Sequence, residues 1–272
     1  MALENSHLGK TVSYDSPYDP SLLFPISRQP NRDEIAVPTT LPFHGVDTWN
    51  VYEMSWLNER GKPLVAIGEI FLPCDTPNII ESKSLKLYFN SLNQTRFSSA
   101  DLLQKTITTD LSHAAGAAVV FNLLPLSDYP FHILKNLPGN CLDDLPVNID
   151  TYQMNADFLQ VENETFVNEQ LYSHLLKSNC PITNQPDWAT VFINYHGKKI
   201  DRAGLLKYII SLRLHNEFHE QCVERIYMDI LRRCQPEKLT VYARYTRRGG
   251  LDINPFRSNF DGNPLNVRLS RQ

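Results

Sequence analysis

Ser178-Asn179-Cys180-Pro181-Ile182-Thr183-Asn184-Gln185-Pro186-Asp187-Trp188 is the stretch from which the rest of the chain can be read. Its two prolines and central polar residues mark a turn between two runs with strand character, Leu171 to Lys177 and Trp188 to Tyr195. Cys180 and Asp187 therefore fall at strand ends, where a sheet can aim a side chain rigidly. A cysteine so placed is open to two readings, a small buried hydrophobe or a nucleophile with Asp187 as its proton partner.

Working outward, His196-Gly197-Lys198-Lys199 turns out of the second run. Asp201 to Leu214 and Glu217 to Cys234 then read as helices and Leu239 to Thr246 as a strand. In the second helix Phe218, Cys222, Ile226 and Ile230 make one apolar face. The same order occurs earlier. Trp49 to Leu57 and Pro63 to Phe71 are strands joined at Glu59-Arg60-Gly61-Lys62, and Leu72 to Asn78 is a loop. Ile79 to Tyr88 opens a helical stretch, Ser98 to His113 is a second helix, and Ala117 to Leu124 a strand. An offset of about 120 residues lays Glu81 on Asp201, Tyr88 on Tyr208 and Ser91 on Ser211. The pattern predicts an α+β protein made of two copies of one fold, each with antiparallel strands and two helices packed on one face. The expected division is an extended N-terminal arm over 1–45, a first unit over 46–127, a Pro-rich linker over 128–150 and a second unit over 151–272.

With 42% hydrophobic and 21% charged residues among 272, the composition is that of an ordinary globular protein of one or two domains. A formal charge of −4 gives no overall footprint for nucleic acid or anionic lipid. No apolar run is long enough to cross a bilayer, and the first residues lack an apolar signal core. Five scattered cysteines suit reduced thiols, so a cytoplasmic location is expected. The charge is uneven, with nine basic against three acidic residues from Arg232 onward. That segment suits either a small phosphorylated ligand or a solvated basic face.

Three further clusters could carry chemistry. His219-Glu220 opens a helix behind Asn216, a plausible N-cap, so Glu220 either serves the helix terminus or belongs to a binding pair. Its counterpart would be Glu81, because two carboxylates can accept from the N–H and NH₂ edge of a guanine-like base. Phosphate could meet Ser82-Lys83-Ser84 with Lys86, or Arg247-Arg248-Gly249-Gly250, where glycines let backbone N–H groups approach an anion. There is no Gly-x-Gly-x-x-Gly, Walker, Cys-x-x-Cys or His-Glu-x-x-His pattern, and no metal is expected.

Taken together, several segments closely resemble the NADPH-dependent 7-cyano-7-deazaguanine reductases of queuosine biosynthesis. These are Ile79-Ile80-Glu81-Ser82-Lys83-Ser84-Leu85-Lys86-Leu87-Tyr88, Ser178-Asn179-Cys180, Gln185-Pro186-Asp187-Trp188, Asn216-Glu217-Phe218-His219-Glu220 and Tyr245-Thr246-Arg247-Arg248-Gly249-Gly250-Leu251-Asp252-Ile253-Asn254-Pro255. The likeness is to the long form, in which two tunnelling-fold units are fused. It implies that Cys180 adds to the nitrile carbon as a covalent thioimidate and that Asp187 handles the proton. It also implies that Ile79, Ile80, Glu81, His219 and Glu220 hold the deazapurine, and that Ser82, Lys83, Arg248 and Gly249 contact NADPH, two of which are consumed per turnover without a metal. A cytoplasmic homodimer with sites at or near interfaces, and no nucleic-acid or membrane partner, is the matching expectation. A cysteine nitrilase or amidase, and a non-catalytic purine-binding module of the same fold, are the alternatives.

Overall fold

A computed structural model describes residues 17–127 and 137–272. The elements in chain order are β1 (Pro25–Ser27), α1 (Gln29–Glu34), β2 (His44–Leu57), β3 (Pro63–Pro73), β4 (Asn78–Ile80), α2 (Ser82–Ser91), α3 (Ala100–Ala115) and β5 (Val120–Leu124). They continue as β6 (Asn140–Cys141), β7 (Val161–Asn179), β8 (Pro186–Ile200), α4 (Arg202–Ser211), α5 (His219–Cys234), β9 (Lys238–Tyr245) and β10 (Leu251–Ser258). Among the described residues these form two compact units, the first from 17–31, 47–127 and 247–252, the second from 32–46, 137–246 and 253–272. The protein is a mixed α+β structure with mainly antiparallel strands and few helices.

In the first unit β3 lies between β2 and β5, and β5 pairs with it antiparallel from Ile67↔Leu124 to Phe71↔Val120. The turn between β2 and β3 closes as its composition implies, with Asn58 Oδ1 accepting from the Arg60 and Lys62 amides and Gly61 at φ 80°. Helix α3 starts on Ser99, whose hydroxyl accepts from Leu102 N–H, and stops at Gly116 in the left-handed conformation. Leu103, Ile107 and Leu111, one helical turn apart, are fully buried, and each contributes about 1.5–3 kcal/mol of hydrophobic stabilisation.

The second unit orders its strands β6-β7-β8-β9-β10, parallel only between β6 and β7. Helix α5 buries Cys222, Val223, Ile226, Tyr227 and Ile230 without exposure, the face its 3.6-residue periodicity marks. Positions that the offset superimposes carry like local features. Glu81 and Asp201, which the offset superimposes, are the N-caps of α2 and α4. Tyr88 donates to Asp110 at 2.6 Å and Tyr208 to Asp229 at 2.7 Å. Ser91 Oγ donates to Tyr88 O, and Ser211 Oγ to Tyr208 O, both at 2.7 Å.

Several boundaries differ from the sequence reading. The helical stretch opening at Ile79 is strand there: Ile79 and Ile80 pair with Ile26 and Pro25, and helix begins only at Ser82. Two adjacent β-branched side chains fit a paired strand better than a first helical turn. Strands β7 and β8 extend well beyond the apolar runs that reveal them, as a polar ribbon laced by Lys198–Glu164 and Lys199–Glu162 pairs. The N-cap of α5 is Phe218, not Asn216, because Asn216 is held in a bridge with Asn179. Within 1–45, read as extended, Gln29–Glu34 is helical and β2 has already begun. In the Pro-rich 128–150 segment Asn140–Cys141 forms a strand, while 128–136 lies outside the described residues.

Candidate active site

The β7–β8 hairpin sets the geometry of the cysteine and its acid. Asp187 lies directly opposite Ser178 in the register, and Asn179 opposite Pro186. Cys180 is the first residue after β7 and Asp187 the second of β8, so the turn holds both at the same end of the hairpin. Cys180 N–H donates to Gln185 O at 2.9 Å and its carbonyl accepts from Asn184 N–H at 3.0 Å, closing the turn around the thiol. Asn184 takes φ 54°, a left-handed conformation that asparagine tolerates. Both side chains are buried, Cys180 at 3% and Asp187 at 6% exposure.

Helix α5 brings the third group. His219, its first residue, has Nε2 3.4 Å from Asp187 Oδ2, and its ring lies 4.0 Å from the Tyr245 ring on β9. Tyr245 pairs with Ala189 of β8, so one sheet carries both the acid and the ring that backs the histidine. Glu220, next in the first turn, is buried at 2%. Cys180, Asp187, His219 and Glu220, read separately from the sequence, thus belong to one unit, with His219 and Asp187 in direct contact.

A chain of amides that sequence reasoning missed supports the loop. Lys177 donates to Asn179 Oδ1 and to Arg213 O, Asn179 Nδ2 donates to Asn216 Oδ1 at 3.1 Å, and Asn216 Nδ2 donates to Asn184 Oδ1 at 3.2 Å. The backbone joins in, with Asn179 N–H donating to His215 O and Glu217 N–H to Asn179 O. Only the left-handed turn preference of asparagine hinted at this in the sequence. Burial lowers the Lys177 ammonium from its ordinary range, the nearby Arg213 charge adds to that, and Asp187 opposes it. Cys222, read as core, is fully buried, and that burial pushes its thiol up to about 12. A thiol so held is unreactive.

In the first unit Glu81 is the N-cap of α2. Its Oε1 accepts from Lys83 N–H at 2.7 Å and its Oε2 from Ser84 N–H at 2.8 Å. Burial raises its carboxyl above the ordinary range, and these backbone bonds oppose the rise. Ile79 and Ile80 are buried just before it, and Ser82 and Lys83 form the first turn of α2. Arg248 N–H and Leu251 O are bonded at 2.9 Å across a turn whose two central residues, Gly249 at φ 62° and Gly250 at φ 79°, are left-handed. That is the backbone of a tight hairpin turn that glycine supplies without strain. A Cβ on Gly249 would lie 2.9 Å from Lys86 Nζ, and one on Gly250 2.4 Å from the Glu53 carboxyl carbon. Of the two phosphate candidates, Lys86 and the diglycine line one recess with Glu53, Asn90 and Asn93, where Lys86 Nζ is 3.7 Å from Glu53 Oε2, while Ser82, Lys83, Arg247 and Arg248 do not line it.

Comparisons with known proteins identify this chain's relatives. A family model described as nitrile reductase, 7-cyano-7-deazaguanine-reductase N-term, matches residues 14–123, and one described as QueF-like protein matches 186–263. The chain is 56% identical over 273 residues to an NADPH-dependent 7-cyano-7-deazaguanine reductase of Ralstonia nicotianae, covering 99% of each. Enzymes of the same name from Chromobacterium violaceum and Aromatoleum aromaticum are 55% and 58% identical, over 99% and 94% of this chain and 97% and 91% of theirs.

Proposed function

Because this chain belongs to the family of NADPH-dependent 7-cyano-7-deazaguanine reductases, we propose that its hairpin cysteine, Cys180, carries the nitrile of that substrate through reduction as a covalent thioimidate. The protein is an oxidoreductase that reduces the nitrile of 7-cyano-7-deazaguanine, the step used in queuosine biosynthesis, at the expense of NADPH. The observation that carries the mechanistic reading is the pair Cys180 and Asp187, both buried at one hairpin turn, with His219 of α5 3.4 Å from the acid.

The chemistry follows from what each group can do. Sγ of Cys180 adds to the nitrile carbon, the C≡N bond becomes C=N, and the thiol proton passes through Asp187 to the nitrile nitrogen. His219, between Asp187 and the Tyr245 ring, fixes the carboxylate and the face of the bound base. After the carbon is reduced, the C–S electron pair returns to Cys180 and an imine remains, which is reduced again to the aminomethyl group. Glu220 offers carboxylate oxygens to the N–H and NH₂ edge of the deazaguanine, and Glu81, beside the Ile79 and Ile80 backbone, has the same acceptor chemistry in the first unit. Burial of the site restrains hydrolysis of the imine.

The turn at Arg248-Gly249 and the first turns of α2 suit NADPH: a cradle that one Cβ would fill faces Lys86, and Ser82 and Lys83 precede it on the same helix. NADPH, when bound, supplies the two hydrides. The repeated caps and Tyr–Asp bonds support a further proposal, that the chain is two tunnelling-fold units in tandem.

Intact-mass measurement tests the covalent step. Incubated with 7-cyano-7-deazaguanine and no NADPH, the protein is expected to gain one substrate mass, and Cys180→Ala none. An adduct that persists in Cys180→Ala would overturn the assignment.

A further inference from the structure

Away from Cys180, the short strand β6 and the loop after it bring three metal-ligand side chains to one point on β7. A ligand atom of Cys141, one of Asp143 and one of His174 all lie within 4.8 Å of one another. We propose that Cys141, Asp143 and His174 form a binding site for a borderline divalent cation of the zinc class.

The surroundings hold two of the three ligands in place. Asp143 Oδ1 accepts from Ser173 Oγ at 2.6 Å and Oδ2 from His174 N–H at 3.1 Å, which fixes the carboxylate. His174 Nδ1 and Thr190 Oγ1 are 2.9 Å apart, so a donated Nδ1–H leaves Nε2 as the ligating nitrogen. An oxygen on the other ring nitrogen is the usual outer partner of a metal-bound histidine. Tyr172 stands edge-on to His174 at 5.4 Å. The irregular register of β7 between Ser173 and Leu176 keeps this group off the regular ladder. Donors on a tetrahedral zinc at about 2.0–2.3 Å are separated by about 3.3–3.8 Å, so side-chain adjustment of roughly an ångström closes the site. Sulfur, nitrogen and oxygen donors together select zinc-like ions over Mg²⁺ or Ca²⁺, and the fourth position is left to water. Cys141 is accessible to solvent, so an ion can reach it.

Titration calorimetry with Zn²⁺ on the full chain, its Cys180→Ala, Cys141→Ser, His174→Ala and Thr190→Val variants tests this, with Mg²⁺ as the control ion. The expected result is one Zn²⁺ bound by the wild type and by Cys180→Ala, with affinity falling about 10- to 100-fold in Thr190→Val. Cys141→Ser and His174→Ala should lose more, while Cys141→Ser keeps nitrile-reductase turnover. Zn²⁺ should also raise the unfolding temperature of the wild type but not of Cys141→Ser, a readout independent of activity. No binding, binding unchanged in Cys141→Ser, or binding lost in Cys180→Ala would each overturn the site, the last by placing the ion on the catalytic thiol.

Discussion

Asp187→Asn lowers the turnover number for nitrile reduction by about 10²- to 10⁴-fold, the range that general acid–base groups contribute. The amide keeps the size of the acid and can still meet His219, now 3.4 Å from Oδ2, so the hairpin and the histidine stay in place. What it loses is the capacity to take the Cys180 proton and hand it to the nitrile nitrogen. The loss should fall on turnover rather than on the KM for NADPH, because the groups proposed to hold the cofactor are in α2 and the Arg248-Gly249 turn. Steady-state kinetics with both substrates varied reads the split. A variant that turns over nearly as fast as the wild type, or one that changes only KM, would remove Asp187 from the proton path.

Glu224→Gln destabilises the fold by about 3–5 kcal/mol, the cost of breaking a buried ion pair from one side. Glu224 accepts from Arg32 at 2.9 and 2.8 Å and from Arg257 at 3.0 and 2.9 Å. Exposure is 7% for Arg32, 2% for Glu224 and 0% for Arg257, so neither guanidinium can turn to water when the charge between them goes. Both also lie over the Phe43 ring, at 5.9 and 5.8 Å, which holds them where they are. Equilibrium denaturation by urea, with unchanged slope and a lower midpoint, measures the loss. A change below about 1 kcal/mol would mean that the triad holds geometry without contributing to stability.

The matching helix positions were legible because their signals are local. Tyr88 and Tyr208, Ser91 and Ser211, and Glu81 and Asp201 occupy matching helix positions, and the structure gives each pair the same bonds or cap. The hairpin after β7 was legible for the same reason, since proline and asparagine fix its turn and the apolar runs fix its strands. Other features depend on residues far apart in the chain and left no such mark. Arg32 meets Glu224 across 192 positions, and Asn179 meets Asn216 across 37. Ile79 and Ile80 read as helix because their strand partner, Pro25 and Ile26, is too short to show a period of its own. The polar outer halves of β7 and β8 carry no hydrophobic alternation, so they were invisible to a reading that follows burial. Tyr245 was visible as a strand residue, yet its place against His219 required the β8–β9 pairing to be known.

The most direct test of the account is the amount of NADPH consumed per molecule of 7-cyano-7-deazaguanine, with the product identified, for the protein and for Cys180→Ala. About two NADPH for each aminomethyl product, and none in Cys180→Ala, is the expected result, because a nitrile attached to a thiol must be reduced twice to leave as an amine. One NADPH per product, an amide or acid in place of the amine, or turnover that survives in Cys180→Ala would contradict it.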